Sequence, residues 1–396
     1  MSPKNQPTSP HRAAARRGFG ARMRSVAVGG VILLAAVACG SATTSGTGDA
    51  ASSTAGGASS STADGASSSD SDGAVTSAPS KVTLVTHDSF AVDPGVLAAF
   101  EKQSGISVTV LAQGDAGEML SKAIVTKSNP LGDAIFGIDN TFATKALEAG
   151  ILQPYSSPLA SNGSDTYAID GDSRLTPIDY GDVCVNVDHK YFAEHGIAEP
   201  TTYEDLAKPE YKDMLVTEDA ATSSPGLAFL LGTIAHFGAD GWQAYWKSLV
   251  TNGVKVAGGW TDAYTVDFSG SSGHGDRPLV VSYASSPPSE VPAGATEAPT
   301  GALLDTCFRQ VEYAGVLAGA KNPAGAEKVI DFLLSDAFQA QIPAQMYMYP
   351  VDTNVTLPAD WAAFAPVATH PETVPLADID AHRQQWIDKF TDIVRG

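Results

Sequence analysis

The feature that most constrains the fold is a regular alternation of strand-like and helix-like segments that begins at residue 81. Strand patterns at 81–86, 106–111 and 133–137 alternate with helix patterns at 94–104, 118–127 and 141–149. Gly105 and Gly150 stand directly after two of the helix patterns, where a helix C-terminus favours glycine. This β-α-β-α-β order predicts a parallel sheet with helices on both faces.

A second α/β block is predicted from about residue 186 to 304. It contains helix patterns at 224–237 and around 241–251, and a strand pattern at 278–283. The chain then returns to helix patterns at 322–334, 336–341 and 378–394. Two α/β blocks, with a return toward the first, predict a bilobed α/β protein with a cleft between its lobes.

The N-terminal region has the design of an export signal. Residues 1–24 hold six basic and no acidic residues, and the apolar run Val26–Ala38 follows. This run is too short for a permanent membrane span, which needs roughly 20 residues. We therefore predict that residues 1–38 are a signal peptide. Arg16-Arg17 resembles a twin-arginine export motif, and the export route stays open.

Cys39 follows the small residues that end the apolar run, and Ala36–Gly40 resembles a lipobox. We expect a lipid on Cys39, with an ordinary signal peptide cleaved nearby as the alternative. Residues 39–80 are dominated by Ser, Ala, Gly, Thr and Asp, a composition that cannot bury enough surface to fold. They are predicted to tether the anchor to a body of roughly 315 residues, enough for two lobes.

The charge of the chain restricts its partners. The formal net charge is −20, and removal of the six basic residues before Cys39 takes it to −26. Such a surface repels nucleic acid and anionic lipid headgroups and attracts a small cation. We expect no nucleic-acid partner, and membrane contact only through the lipid.

Short segments spread over the folded body resemble the thiamine-binding periplasmic proteins of ABC importers. Those segments are Asp88–Phe90, Gly137–Asn140, Asp179–Gly181, Thr222–Leu227, Gly259–Tyr264, Ser282–Pro287, Gln310–Glu312, Met348–Val351 and Asn354–Pro358. The chain departs from the better-known Gram-negative members of this family at two positions. His87 stands where they have Tyr, and Tyr347 stands where they have Trp.

The resemblance implies a type II periplasmic-binding-protein fold, with two doubly wound α/β lobes joined by crossover strands. It places the first lobe at 81–182, the second at 183–306, and the return crossover, the rest of the first lobe and the C-terminal helices at 307–396. It also implies an extracytoplasmic monomer that binds thiamine or a thiamine phosphate and delivers it to a permease driven by an ATPase. No cofactor, no metal and no catalytic residue are expected.

Aromatic and polar side chains at loop positions are the candidate ligand contacts. The resemblance places Trp260 and the segment Tyr283, Ala284, Ser285 and Ser286 against the ligand. Tyr264 follows the same Gly258-Gly259 turn as Trp260. Flat rings suit the aminopyrimidine and the thiazolium cation of thiamine. A structural alternative is that Trp260 belongs to the core and the serines only cap a turn.

Two predicted helix N-termini supply further candidates. Ser223 and Ser224 precede Pro225, a strong helix start whose free N–H groups favour an anion. Asp115 and Ala116 lie just before the helix predicted at 118–127, and both residues match a segment that contacts the ligand in the family. In both cases helix capping alone is the competing interpretation. The remaining candidates stand at strand ends, near the crossover or in a late loop; they are His87, Asp88, Asp139, Asp179 and Tyr347.

Cys184 and Cys307 each lie in a predicted crossover strand, and these strands run side by side in the family fold. An even pair of cysteines in an oxidising compartment favours a disulfide, so we predict a Cys184–Cys307 bridge; two buried free thiols are the alternative.

Two other functions compete with thiamine capture. One is a thiamine-degrading or pyrimidine-synthesising enzyme on the same fold, although the sequence holds no Gly-x-Ser-x-Gly, His-Glu-x-x-His, Walker or Cys-x-x-Cys motif. The other is a binding protein for a polyamine or for ferric iron, although no Tyr-Tyr pair, typical of iron-binding relatives, occurs.

Overall fold

The computed structural model describes residues 80–396. The predicted signal peptide, the lipid on Cys39 and the tether up to residue 79 lie outside the described residues. No helix within the described part is long and apolar enough to cross a bilayer.

The first part of the chain has the predicted alternation. Its elements are β1 (Ser80–Thr86), α1 (Pro94–Ser104), β2 (Ile106–Ala112), α2 (Ala116–Val125), β3 (Ala134–Asp139) and α3 (Ala143–Ala149). β1 pairs in parallel with both β2 and β3, which confirms the predicted parallel sheet. Local chemistry sets the helix ends: the Asp93 carboxylate accepts from two backbone N–H groups at the start of α1, and Gly105 ends it at φ 69°.

The second part contains the elements β4 (Leu152–Gln153), β5 (Thr176–Asp188), α4 (His189–His195), α5 (Tyr203–Leu206), β6 (Leu215–Glu218), α6 (Ser224–Thr251), β7 (Lys255–Ala257), α7 (Trp260–Asp262), β8 (Leu279–Tyr283) and β9 (Thr300–Leu317). α6 breaks at Gly238, whose φ of 71° and ψ of 176° separate the two helices predicted there. The chain ends with α8 (Pro323–Leu333), α9 (Asp336–Gln339), α10 (Ile342–Met346), β10 (Tyr349–Pro350), α11 (Ala359–Phe364) and α12 (Leu376–Arg395).

One mixed sheet runs through the described residues, in the order β2-β1-β3-β9-β5-β8-β6-β7, with β10 beside β5 and β4 beside β9. We call β1–β3 with α1–α3 the first lobe, and β6–β8 with α6 the second lobe. The long antiparallel strands β5 and β9 belong to both, since β9 pairs with β3 and β5 pairs with β8. They are the predicted crossover strands.

The two crossover strands are covalently joined where they pass between the lobes. Their register shifts between Val183 and Val185, and Cys184 forms a disulfide with Cys307 there, with 4.2 Å between the Cα atoms. The predicted bridge is confirmed. Both cysteines are buried, so the link lies inside the protein.

The C-terminal helix α12 contacts helices of both lobes. The Phe390 ring packs edge-on against Trp246 of α6, with 4.7 Å between ring centroids. Arg383 donates to the Thr144 hydroxyl of α3 at 2.7 Å. α12 therefore holds α3 and α6 together while β5 and β9 connect the sheet.

Candidate functional site

The candidate site is a cleft between the lobes, formed where loops from the two edges of the sheet meet. The loops after β2 and β7, the edge strands of the ordered path, lie in contact despite their separation in the sheet. The space between the lobes is about 510 Å³, including the part that opens to solvent.

The Asp115 carboxylate connects the two lobes across this cleft. It caps α2 by accepting from the Ala116 N–H at 2.6 Å. It also accepts from the backbone N–H groups of Trp260 at 2.9 Å and Ser224 at 3.3 Å, both in the second lobe. Burial raises the pKa of Asp115, and the hydrogen bonds from Trp260 and Ala116 act against that rise. We call this set of contacts the Asp115 bridge.

The start of α6 is the helix N-terminus that the sequence predicted. Ser223 precedes its first turn and is buried, while the Ser224 hydroxyl accepts from the Gln310 side chain at 3.1 Å. The Ser224 N–H points at Asp115, so a carboxylate already occupies part of this anion-favouring end. A ligand phosphate would compete with Asp115 for these donors.

An aromatic wall forms one side of the cleft. Trp260 stacks on Tyr264, with ring centroids 5.0 Å apart and planes 13° apart. Tyr264 is buried behind Trp260, and its hydroxyl donates to Glu290 at 3.1 Å. Tyr347 is tilted against Trp260 at 6.1 Å and lines the cleft at a strained φ of 57°.

The segment after β8 fixes the orientation of this wall. The Trp260 indole N–H donates to the Ser282 hydroxyl at 2.9 Å, which lies 2.9 Å from the Ser286 hydroxyl. The Ser285 hydroxyl donates to the backbone carbonyl of Tyr347. Tyr283 itself lines the cleft, whereas the Ala284 N–H donates to the backbone carbonyl of Asp182 at 2.8 Å. The serines therefore hold the rings in place.

The floor of the cleft carries three carboxylates on neighbouring strands. Glu312 of β9 is in register with Asp139 of β3 on one side and Asp179 of β5 on the other. All three are buried, and Glu312 is the one that lines the cleft. We call them the carboxylate row. Burial raises the pKa of Asp139 to about 7 despite a hydrogen bond from Thr141.

Asp179 of the carboxylate row and the neighbouring His87 complete the floor. The Asp179 oxygens find no hydrogen-bond donor among the described residues, and burial together with the charge of Glu312 raises its pKa. His87 Nε2 lies 3.4 Å from Glu312 Oε1, and His87 Nδ1 accepts from the Ser89 backbone N–H at 3.2 Å. Burial acts to lower the pKa of His87, but the carboxylates of Glu312, Asp115 and Asp88 together outweigh it and the pKa is raised.

Comparisons with known proteins assign the chain to a family. The profile of the bacterial extracellular solute-binding proteins matches residues 129–369. The thiamine-binding periplasmic protein of Escherichia coli (strain K12) is 31% identical over 78% of this chain and 92% of its own length. The chain belongs to the bacterial extracellular solute-binding proteins. An extracytoplasmic location follows from that membership.

Solved structures agree with this family. A periplasmic thiamin binding protein matches with a TM-score of 0.69 and 29% identity, over 79% of this chain and 96% of its own. A ferric binding protein from Campylobacter jejuni matches with a TM-score of 0.64 and 19% identity, over 79% and 99%. The second likeness shows the fold alone. The bilobed periplasmic-binding-protein fold expected from the sequence is thereby confirmed.

The structure of this solute-binding protein brings together only part of the predicted site. The predicted residues that line the cleft are His87, Asp115, Ser224, Trp260, Tyr283 and Tyr347. Ala116, Ser223, Tyr264, Ala284, Ser285 and Ser286 stand behind that surface, as do Asp139 and Asp179. Asp88 is exposed to solvent, and its backbone N–H donates to Gly114 at 2.9 Å.

Other lining residues were not among the sequence candidates. They are Ser89, Pro225, Glu312, Gln345, Met346 and Met348. Glu312 carried a detectable signal, because it is an isolated acid in the otherwise apolar stretch Val311–Leu317. A carboxylate in a buried strand needs a hydrogen-bond donor or a cation as its partner.

Proposed function

We propose that this solute-binding protein captures thiamine or a thiamine phosphate in the inter-lobe cleft and delivers it to the permease of an ABC importer, driven by a cytoplasmic ATPase. The observation that carries the proposal is the composition of the cleft. An aromatic wall faces two carboxylates, those of Asp115 and Glu312, and no Lys or Arg is among the residues that line the space.

That composition suits a flat cation. The thiazolium ring of thiamine carries a fixed positive charge, which is attracted by the faces of aromatic rings and by nearby carboxylates. The indole of Trp260 offers a face whose orientation is set by its hydrogen bond to Ser282. Glu312 offers a carboxylate at the floor. The relatives named as thiamine-binding periplasmic proteins support the same ligand.

Capture requires the two lobes to separate and close again. We propose that they rotate about β5 and β9, the strands that belong to both lobes. In the closed form the Asp115 bridge joins the lobes, and the ligand lies beneath it between the wall and the floor. The chemistry is binding alone, with no bond made or broken and no cofactor.

The test is isothermal titration calorimetry with thiamine, its monophosphate and its diphosphate, with spermidine and ferric citrate as competing candidates. We expect binding of at least one thiamine species in the nanomolar to micromolar range. Binding of spermidine or ferric iron without any thiamine species would overturn the proposal. Thiamine recovered chemically intact after long incubation is the expected result against an enzymatic function.

Trp260→Ala tests the aromatic wall. Loss of the stacked indole should weaken thiamine binding by about 1–3 kcal/mol, or roughly 5- to 150-fold. Trp386→Ala is the matched control, because Trp386 lies on α12 and does not line the cleft. Equal affinities for Trp260→Ala and the unaltered protein would remove the stacking role.

Anchoring completes the proposal. A lipid on Cys39 would hold the protein, as a monomer, at the outer face of the membrane through a tether that leaves the lobes free to reach the permease.

A further inference from the structure

The side chains next to Glu312 at the floor of the cleft hold hydrogen-bond acceptors that lack a donor. Gln310 and Glu312 lie two residues apart on β9, so their side chains leave the same face of the sheet. The Gln310 amide donates to the Ser224 hydroxyl at 3.1 Å, and its oxygen finds no donor among the described residues. Both carboxyl oxygens of Asp179, which lies in register with Glu312, are without a donor there as well. The neighbours of Glu312 therefore have no hydrogen bond to give it.

His87, on the other side of Glu312, does not satisfy its carboxylate either. The His87 Nδ1 accepts from the Ser89 backbone N–H at 3.2 Å, so the proton of the neutral ring lies on Nε2. Nε2 lies 3.4 Å from Glu312 Oε1, yet it makes no hydrogen bond within the described part of the chain. The ring edge stands beside the carboxylate without being a bonded donor.

A proton shared between the opposed carboxyl groups of Asp179 and Glu312 would not remove this need. The pair has four oxygens, and one shared proton satisfies a single oxygen of each group. Glu312 is the member of the pair that lines the cleft, so its remaining acceptor capacity is open to a ligand. An acceptor left without a donor in a closed cleft costs free energy, and a ligand that brings an N–H group removes that cost.

The parts of thiamine differ in whether they can supply this donor. The aminopyrimidine carries an exocyclic amino group with two N–H bonds. The thiazolium nitrogen is fully substituted, so its charge attracts a carboxylate but cannot donate a hydrogen bond. The hydroxyl at the far end can donate, but in a thiamine phosphate that oxygen is esterified, and the phosphate would meet like charge at this floor. The amino group is the donor that thiamine and its phosphates share.

We propose that Glu312 accepts a hydrogen bond from the exocyclic amino group of the ligand and is the residue that selects for an aminopyrimidine. The inference rests on the proposed function, since it takes thiamine or a thiamine phosphate as the ligand. The aminopyrimidine then lies at the floor, and the thiazolium is left for the aromatic wall formed by Trp260. The step is binding alone, with no bond made or broken.

The first experiment compares two ligands on the unaltered protein by calorimetric titration. One is thiamine, and the other is its desamino analogue, in which hydrogen replaces the exocyclic amino group. Because a hydrogen bond to a charged acceptor is lost, the desamino analogue should bind about 10- to 150-fold more weakly.

Glu312→Gln tests whether the carboxylate is the group that reads the amino group. The substitution keeps the size of the side chain and replaces a charged acceptor by a weaker neutral one, so the ratio between the two affinities should fall about fivefold or more. Oxythiamine, which has an oxo group in place of the amino group, should bind this variant better than it binds the unaltered protein, because the glutamine amide can donate to the oxo group. Glu297→Gln is the matched control, since Glu297 is exposed and does not line the cleft; it should leave all three affinities unchanged.

The comparison of thiamine with its desamino analogue needs no variant, so it decides the question even where Glu312→Gln fails to fold. Equal affinity of the two ligands for the unaltered protein would overturn the inference. An unchanged ratio in the folded Glu312→Gln variant, or oxythiamine binding weakened as much as thiamine binding, would overturn it too. In each of these cases thiamine still binds; absence of thiamine binding would instead contradict the proposed function.

Discussion

The Asp115 bridge makes a sharp prediction at two adjacent glycines, Gly258 and Gly259. A Cβ added to Gly259 would lie 2.9 Å from Asp115 Oδ2, and its three nearest atoms all belong to Asp115. A Cβ added to Gly258 meets nothing within that distance. Gly259 has a φ of −169°, an extended conformation that alanine adopts easily. Gly259→Ala therefore acts on the contact between the lobes and leaves the local backbone unstrained.

The magnitude follows from the hydrogen bond that must give way. To avoid the new methyl group, the Asp115 carboxylate has to move off the Trp260 N–H, which it accepts at 2.9 Å. Loss of a hydrogen bond to a charged group costs about 1.5–3 kcal/mol. If the bridge holds the closed, ligand-bound form, thiamine affinity should fall roughly 10- to 150-fold.

Calorimetric titration of the two variants and the unaltered protein is the assay. Gly258→Ala should bind thiamine with nearly unchanged affinity. In the open form that admits the ligand the Asp115 bridge is broken, so thermal unfolding without ligand should show no loss of stability in either variant. Equal thiamine affinity for Gly259→Ala and the unaltered protein would show that the Asp115 bridge does not stabilise the bound form.

Three further predictions concern the body and the anchor. Replacing both Cys184 and Cys307 by alanine should lower the free energy of unfolding by about 5 kcal/mol, since the bridge closes a separation of 123 residues; an unchanged urea midpoint would contradict this. Glu204 and Glu372 raise the pKa of His236 above its ordinary value, although partial burial acts to lower it. The charged His236 therefore stabilises the fold at acidic pH, and this contribution is lost as the pH rises through the raised pKa. His236→Gln should thus lower the urea midpoint near pH 6 but hardly near pH 9, with His370→Gln as control, and equal losses at both would refute it. Cys39→Ser should abolish incorporation of labelled fatty acid and release the protein from membranes, and persistent labelling would rule out that anchor.

The sequence predicted the elements of the fold well because their ends depend on neighbouring residues. Asp93 and Gly105 bound α1 through contacts within one helical turn, and the break at Gly238 separates two helices as predicted. The Cys184–Cys307 bridge was also predicted, although it needed the resemblance to place the two crossover strands side by side.

The candidate site was predicted less completely. Trp260 was a candidate because a glycine pair precedes it, and it does line the cleft. Tyr264, predicted with it, stacks behind its ring instead. Periodicity and turn signals show that a residue stands in a loop, but they do not show which of two neighbouring rings faces the space.

The sequence by itself determined that an α/β body begins near residue 81, which helices and strands it contains, and that it belongs with ligand-binding proteins of two lobes. Only the tertiary structure decided that Asp115 reaches the N–H of Trp260, 145 positions away, and that Glu312 lies opposite both Asp139 and Asp179. These contacts depend on strand order and register across the whole sheet. Neither quantity is encoded in any local stretch of residues, because each is fixed by the packing of all the strands together.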